Sequence, residues 1–427
     1  MAGKAQAQSA AAAEWRMYWP LVIAAMLGFS LHSVFTYSLG LFMEPLGQEF
    51  GWSRTMISAG TIVPTVFMVL FSPATGAFID RHGSRRLAIP CIALTGVSLA
   101  AFAIISGSII EWFALTAFYG IVSLGVKVTV WTTAITGAFV AARGLALGVT
   151  VCGSAFSQIF APPVTQLLVD NLGWREAYVG LGLIWGVPCL ILALLFLRDS
   201  RDRNRTHAEE STADAPAVEA LPGLSFAEAL RSLPLIRIAA STFLTMLVGT
   251  AMLLHQVPIL TSTGVTRGDA AWLASLAGVA GIAGKLLTGW LVDRFGGDWI
   301  GPIVLTLPAL AYFLLLQHDS TIVMYVIAMM IVGYTTGAKL QICAYLTATY
   351  AGMRNYGKIF GIMASIIAAS GSIGGISAGA AYDLFGNYDR ILILGVITSF
   401  MCGALVFRLG AHPDWSGAQL QPAPQPA

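Results

Sequence analysis

The chain has 427 residues, of which 57% are hydrophobic and only 10% charged, with a mean hydropathy of +0.77. A soluble domain carries roughly a quarter charged residues, so this composition excludes a water-soluble enzyme. A formal net charge of +2 excludes a nucleic-acid binder.

Each membrane crossing needs about 20 apolar residues, which leaves room for about a dozen helices. An Ala-rich stretch, residues 1–16, comes first. A cleavable signal would place its small-residue site after the first apolar run, so this stretch is expected to be a cytosolic tail. Apolar runs between charged or Gly/Pro punctuation then predict twelve spans, near 17–42, 55–78, 87–106, 112–140, 144–168, 176–197, 236–260, 270–291, 299–317, 321–349, 357–381 and 390–408. The polar stretch from Arg198 to Leu233 separates two sets of six. The expected organisation is an N-terminal six-helix bundle (17–197), a cytosolic linker (198–235), a C-terminal bundle (236–408) and a disordered tail (409–427) rich in Pro, Gln and Ala. Cys91, Cys152, Cys189, Cys343 and Cys402 lie singly in apolar runs without ligand spacing and read as core residues. No metal or cofactor is expected.

Charge placement sets the orientation. With the N-terminus inside, sixteen Lys and Arg fall on the inner side and only Arg54, Arg175, Arg267 and Arg390 outside. The positive-inside rule therefore puts both termini in the cytosol.

The two sets of six repeat each other. Gly76-Ala77-Phe78-Ile79-Asp80-Arg81-His82-Gly83 ends span two, and Gly289-Trp290-Leu291-Val292-Asp293-Arg294-Phe295-Gly296 ends span eight, 213 residues later. The same offset relates Pro45 to Pro258, Arg54 to Arg267 and Gly144 to Gly357. An offset of 212 relates Gly125-Val126-Lys127 to Gly337-Ala338-Lys339. Repeats of this size mark alternating-access transporters, whose substrate site is expected near mid-membrane between the halves.

The run Gly76-x-x-x-Asp80-Arg81-x-Gly83-x-Arg85-Arg86 resembles the signature loop of the major facilitator superfamily, and Gly289, Asp293 and Arg294 resemble its second copy. The resemblance implies an all-α polytopic membrane protein with twelve transmembrane helices in two pseudo-symmetric halves, and a gate-stabilising role for the loop. Gly76 is expected to let helices approach closely. Three further runs, Glu49-Phe50-Gly51-Trp52-Ser53-Arg54, Arg143-Gly144-Leu145-Ala146-Leu147-Gly148 and Gly173-Trp174-Arg175-Glu176-Ala177, resemble bacterial monocarboxylate and oxalate–formate transporters. That group implies an organic-anion cargo and a cation in span eight, where Lys285 stands. It also implies the bacterial inner membrane.

Three lysines fall inside spans. Lys127 is sixteen residues from both Glu111 and Arg143, or roughly 24 Å from either flank. Lys339 is its repeat partner on span ten, and Lys285 lies nearer the cytosolic side. An ammonium at mid-helix costs about 2.5–3.5 kcal/mol even on a mild insertion scale. No carboxylate is predicted at that depth to offset it. The expected compensator is the cargo, a small carboxylate, with a dicarboxylate favoured over a monocarboxylate. Tyr37, Trp131, Ser154, Gln158, Thr336 and Gln341 are the polar candidates that complete the site. Each has interhelical hydrogen bonding as its alternative role. His32 at mid-span one and His255 in span seven are the proton-coupling candidates. Anion exchange and proton symport remain equal alternatives, and the protein is expected to work as a monomer in the bilayer. A competing reading, an exporter of neutral or cationic drugs, expects a buried carboxylate.

Overall fold

The computed structural model describes residues 2–139, 141–197, 223–317, 321–352 and 354–410, apart from the side chains of residues 2–8, Asp80 and Asp293. Helices dominate it. Among the described residues, twelve helical segments are long and apolar enough to cross a membrane. In chain order they are Ser9–Phe50, Arg54–Ile79, Ser84–Ile104, Ile109–Ala138, Arg143–Leu172, Trp174–Phe196, Leu233–Ser262, Arg267–Val292, Gly297–Leu315, Ile322–Ala351, Tyr356–Phe385 and Asp389–Val406, hereafter spans one to twelve. Each overlaps one predicted span, because a run of apolar residues in lipid must satisfy its own backbone and does so as a helix. The side on which span one begins is called proximal below, and the side on which it ends distal.

The ends of several spans differ from expectation. The helix of span one already starts at Ala2, so the stretch read as a tail is helical. Alanine is the strongest helix former, and the run from Ala10 to Ala13 extends the helix below the apolar segment. The predicted disordered tail lies outside the described residues beyond Gly410, and so does 198–222 of the predicted linker. The linker's end is built: Leu224 N–H donates to the Ala351 carbonyl at 2.8 Å, and Asn355 Nδ2 donates to the Leu224 carbonyl at 2.9 Å. Helix Phe226–Arg231 follows with a reciprocal Ser225/Glu228 capping box. The Ser225 backbone N–H, together with its hydroxyl, holds the Glu228 carboxyl below its usual value.

Contacts divide the chain into two units. Unit 1 comprises Met1–Thr212, Met252–Val279 and Gly375–Asn387; unit 2 comprises Ala213–Ala251, Ala280–Gly374 and Tyr388–Ala427. Unit 1 is centred on aromatic side chains: Phe42 stacks on Tyr178 at 3.8 Å, and Phe35 lies against Phe102, Trp112 and Tyr119. Spans three and six cross where both are glycine. A Cβ added at Gly182 would lie 2.4 Å from the Gly96 carbonyl oxygen. In unit 2, spans eight and ten cross in the same way, with Gly284 against the Tyr334 carbonyl and Gly337 against that of Gly281. Lipid supplies little hydrophobic drive between helices, so close backbone approach at small residues carries the packing. A concavity of about 790 Å³ in unit 2, between spans nine and twelve, is lined by residues such as Ile303, Leu310, Phe313 and Phe400. Its apolar walls suit acyl chains and offer nothing to a carboxylate.

Candidate substrate site

Span four is not one helix. Helix Ile109–Val122 passes into a 3-10 turn, Ser123–Val126; Lys127 is extended (φ −73°, ψ 166°), and a new helix, Val128–Ala138, begins. The span expected near 112–140 is present, as two helices joined by this break. The local cause is composition: Val126, Val128, Thr129 and Val130 are β-branched and lose χ1 freedom in a helix. The break releases carbonyls, and the Trp131 indole N–H donates to that of Val126 at 3.0 Å. Trp131 is fully buried, with its ring against Gly28. In this structure it closes the break rather than presenting a face to a cavity.

Lys127 is half-buried and has no hydrogen-bond or ion-pair partner among the described residues. His32 of span one lies within electrostatic reach of its ammonium. The His32 Nδ1 atom is buried without a hydrogen-bond partner, and its backbone carbonyl accepts from Tyr119 Oη at 2.7 Å. Gln158 is buried, with its Nε2 unpartnered. Tyr37 packs against the unit 1 core.

In unit 2, span ten runs unbroken through Lys339. The difference follows from sequence, since Ala338, Leu340 and Gln341 stand in place of Val126, Val128 and Thr129. Lys339 points at span seven, with Nζ against Gly249. It lines a cavity of about 10 Å³ together with Ser241, Thr242, Thr245 and Cys343. That volume holds about one water molecule. Lys285 stands at the crossing of spans eight and ten, where a Cβ added at Gly337 would lie 3.1 Å from its backbone nitrogen. Gln341 is exposed and lies beside Gly289.

The two copies of the loop motif are built alike. Gly83 (φ 85°) and Gly296 (φ 81°) end spans two and eight in the left-handed region, which only glycine enters freely. Gly76 does not carry the role read for it, because a Cβ there would meet nothing within 4 Å. Arg85 donates to the Leu197 and Leu194 carbonyls, at 2.7 and 3.0 Å, and so caps the end of span six. Arg237 does the same for span twelve through the Phe407, Ala404 and Arg408 carbonyls. Arg81 and Arg86 are exposed, and Arg294 lies over the Trp290 and Phe295 rings. The side chains of Asp80 and Asp293 lie outside the described residues.

Sequence reasoning missed a cluster at the distal end of unit 1. Asp383 of span eleven accepts from the Arg54 and Thr55 backbone N–H groups at 3.1 and 2.8 Å, and from the Thr55 hydroxyl. It thus caps the start of span two. Arg54 lies 3.5 Å over the Tyr382 ring, and Arg267 pairs with Glu44 at 2.8 Å. His255 is fully buried, its Nε2 3.0 Å from both Ser58 Oγ and the Gly375 carbonyl. These partners are 120 to 329 residues apart in sequence, beyond the reach of any local signal.

Comparisons with known proteins agree with this architecture. The family model described as Major Facilitator Superfamily matches residues 25–260 and 238–427. The MFS-type transporter hasB of Aspergillus fumigatus is 24% identical over 66% of this chain, which spans 63% of that protein. Monocarboxylate transporter 12 of Xenopus laevis is 25% identical, over 78% of this chain and 75% of its own length. The xylose transporter XylE of E. coli, in an inward open conformation, is 13% identical and superposes with a TM-score of 0.72 over 93% of this chain and 97% of that one. The chain is a membrane transporter that belongs to the major facilitator superfamily and is similar, within it, to the monocarboxylate transporters.

Proposed function

We propose that the protein is a secondary transporter of a small organic carboxylate, working by alternating access in the bacterial inner membrane with both termini in the cytosol. The observation that carries this reading is Lys127, an ammonium at mid-depth without a carboxylate partner among the described residues. A buried charge left unpaired is costly, and an anionic cargo relieves that cost on binding. Lys285 and Lys339 add positive potential in the second unit. Tyr37, Gln158 and Gln341 are the polar candidates around these charges. The likeness to a monocarboxylate transporter supports a carboxylate cargo. A drug-exporter reading needs a carboxylate at mid-depth instead, and the described acids lie towards the helix ends.

Uptake of radiolabelled lactate, pyruvate, formate and oxalate into proteoliposomes tests the reading. The expected outcome is saturable uptake of at least one of them. Acceleration by an inward proton gradient selects symport, and counterflow indifferent to that gradient selects exchange. Absence of carboxylate uptake, with efflux of a lipophilic cation, would overturn the proposal in favour of drug export.

A further inference from the structure

The repeat that relates the two sequence halves is not matched by equal chemistry at its two lysines. Spans one and four run side by side within unit 1, and two contacts join them. Gly28 lies against the Trp131 ring, and Tyr119 Oη donates to the His32 carbonyl. His32 is one helical turn beyond Gly28, and Lys127 is one turn before Trp131, so the Gly28–Trp131 contact brings the two residues to neighbouring levels on antiparallel spans. Their electrostatic interaction agrees with that placement. The second repeat gives an independent check. Under the 213 and 212 offsets, His32 corresponds to Thr245 and Lys127 to Lys339, and those two residues line one cavity in unit 2.

Three polar features lie near this level of unit 1. The Lys127 ammonium has no partner among the described residues. The buried His32 Nδ1 atom has none either. Helix Val128–Ala138, eleven residues long, starts at Lys127 without a side-chain cap, leaving the Val128 and Thr129 N–H groups as orphan donors at the positive end of the helix dipole. An unwound helix whose half-helix start faces an anionic group is a recurrent way to hold a carboxylate at mid-membrane. The equivalent place in unit 2 lacks that form: span ten is continuous, Thr245 replaces the histidine, and the cavity has room for about one water.

We propose that a carboxylate group of the cargo docks at the break in span four, held by Lys127, His32 and the first N–H groups of helix Val128–Ala138. This rests on the carboxylate-transport reading above, and it names the subsite within it. One carboxylate oxygen accepts from the ammonium, while the other accepts from the helix-start N–H groups and from the imidazole in its Nδ1–H tautomer. The valine- and threonine-rich run is then a functional feature, because it keeps the helix start open.

The test uses the full-length protein in proteoliposomes with lactate, pyruvate, formate and oxalate as probes. Three variants are compared: Lys127→Gln, His32→Ala, and the double variant Val128→Leu/Thr129→Gln, which installs the span-ten residues and favours a continuous helix. The expected result is a rise of at least tenfold in KM for each, with kcat changed less. The same probes should raise the thermal midpoint of the detergent-solubilised wild type and do so only weakly in the variants. That second measurement separates lost binding from misfolding. Lys127→Arg, which keeps the charge, should recover part of the affinity. Wild-type uptake with unchanged KM in Lys127→Gln and His32→Ala would overturn the subsite and leave carboxylate transport standing. Failure of the wild type to move any of the four probes would remove both.

Discussion

A half-buried ammonium at a helix break would, in the proposed subsite, meet two requirements at once: the break supplies donors that complement an anion, and the anion relieves the lysine. Such a break has its own cost, because the carbonyl of Val126 loses its helical partner, and the Trp131 indole restores one. Trp131→Phe keeps the packing against Gly28 and removes the donor. It is expected to lower stability by about 1–3 kcal/mol, the range for a buried polar group left unpaired. A fall in the thermal midpoint of the detergent-solubilised protein checks this, and an unchanged midpoint would show that water replaces the indole. The position of Lys127 midway between Glu111 and Arg143 was legible by counting residues. Its backbone conformation was legible only in part, because a β-branched run is a weak local preference that packing decides.

At the scale of elements, the same physics separates span four from span ten. Both carry Gly-x-Lys, yet only the copy with flanking valines breaks. Helix ends show a second regularity, in which one side chain completes each. Asp383 caps span two, Arg85 caps span six and Arg237 caps span twelve. Asp383→Ala removes an acceptor from two backbone donors and is expected to loosen the distal start of span two by about 1 kcal/mol. A cysteine placed at Ser58 should then react several-fold faster with an impermeant maleimide applied from the distal side; an unchanged rate would refute the capping role. The capping box at Glu228 predicts a pH effect. Its folded carboxyl lies below the ordinary glutamate value, so its contribution is complete above that value and vanishes as pH falls through the folded one. The midpoint difference between wild type and Glu228→Gln should therefore be largest at neutral pH and close in acid.

For the whole molecule, glycine crossings set how near the helices come. A Cβ at Gly284 would lie 2.0 Å from the Tyr334 carbonyl oxygen, a backbone atom that cannot turn aside. Gly284→Ala is expected to cost about 1–3 kcal/mol through forced separation of spans eight and ten, measurable as a lower midpoint and reduced yield of folded protein. Twelve spans, their hydropathy and the loop motifs were determined by sequence alone, since lipid solvation acts on each apolar run independently of its neighbours. Only the tertiary structure decided which polar groups meet: Ser58 with His255, and Asp383 with the start of span two. Those meetings depend on crossing points set by small residues on distant helices, and no local stretch of chain encodes them.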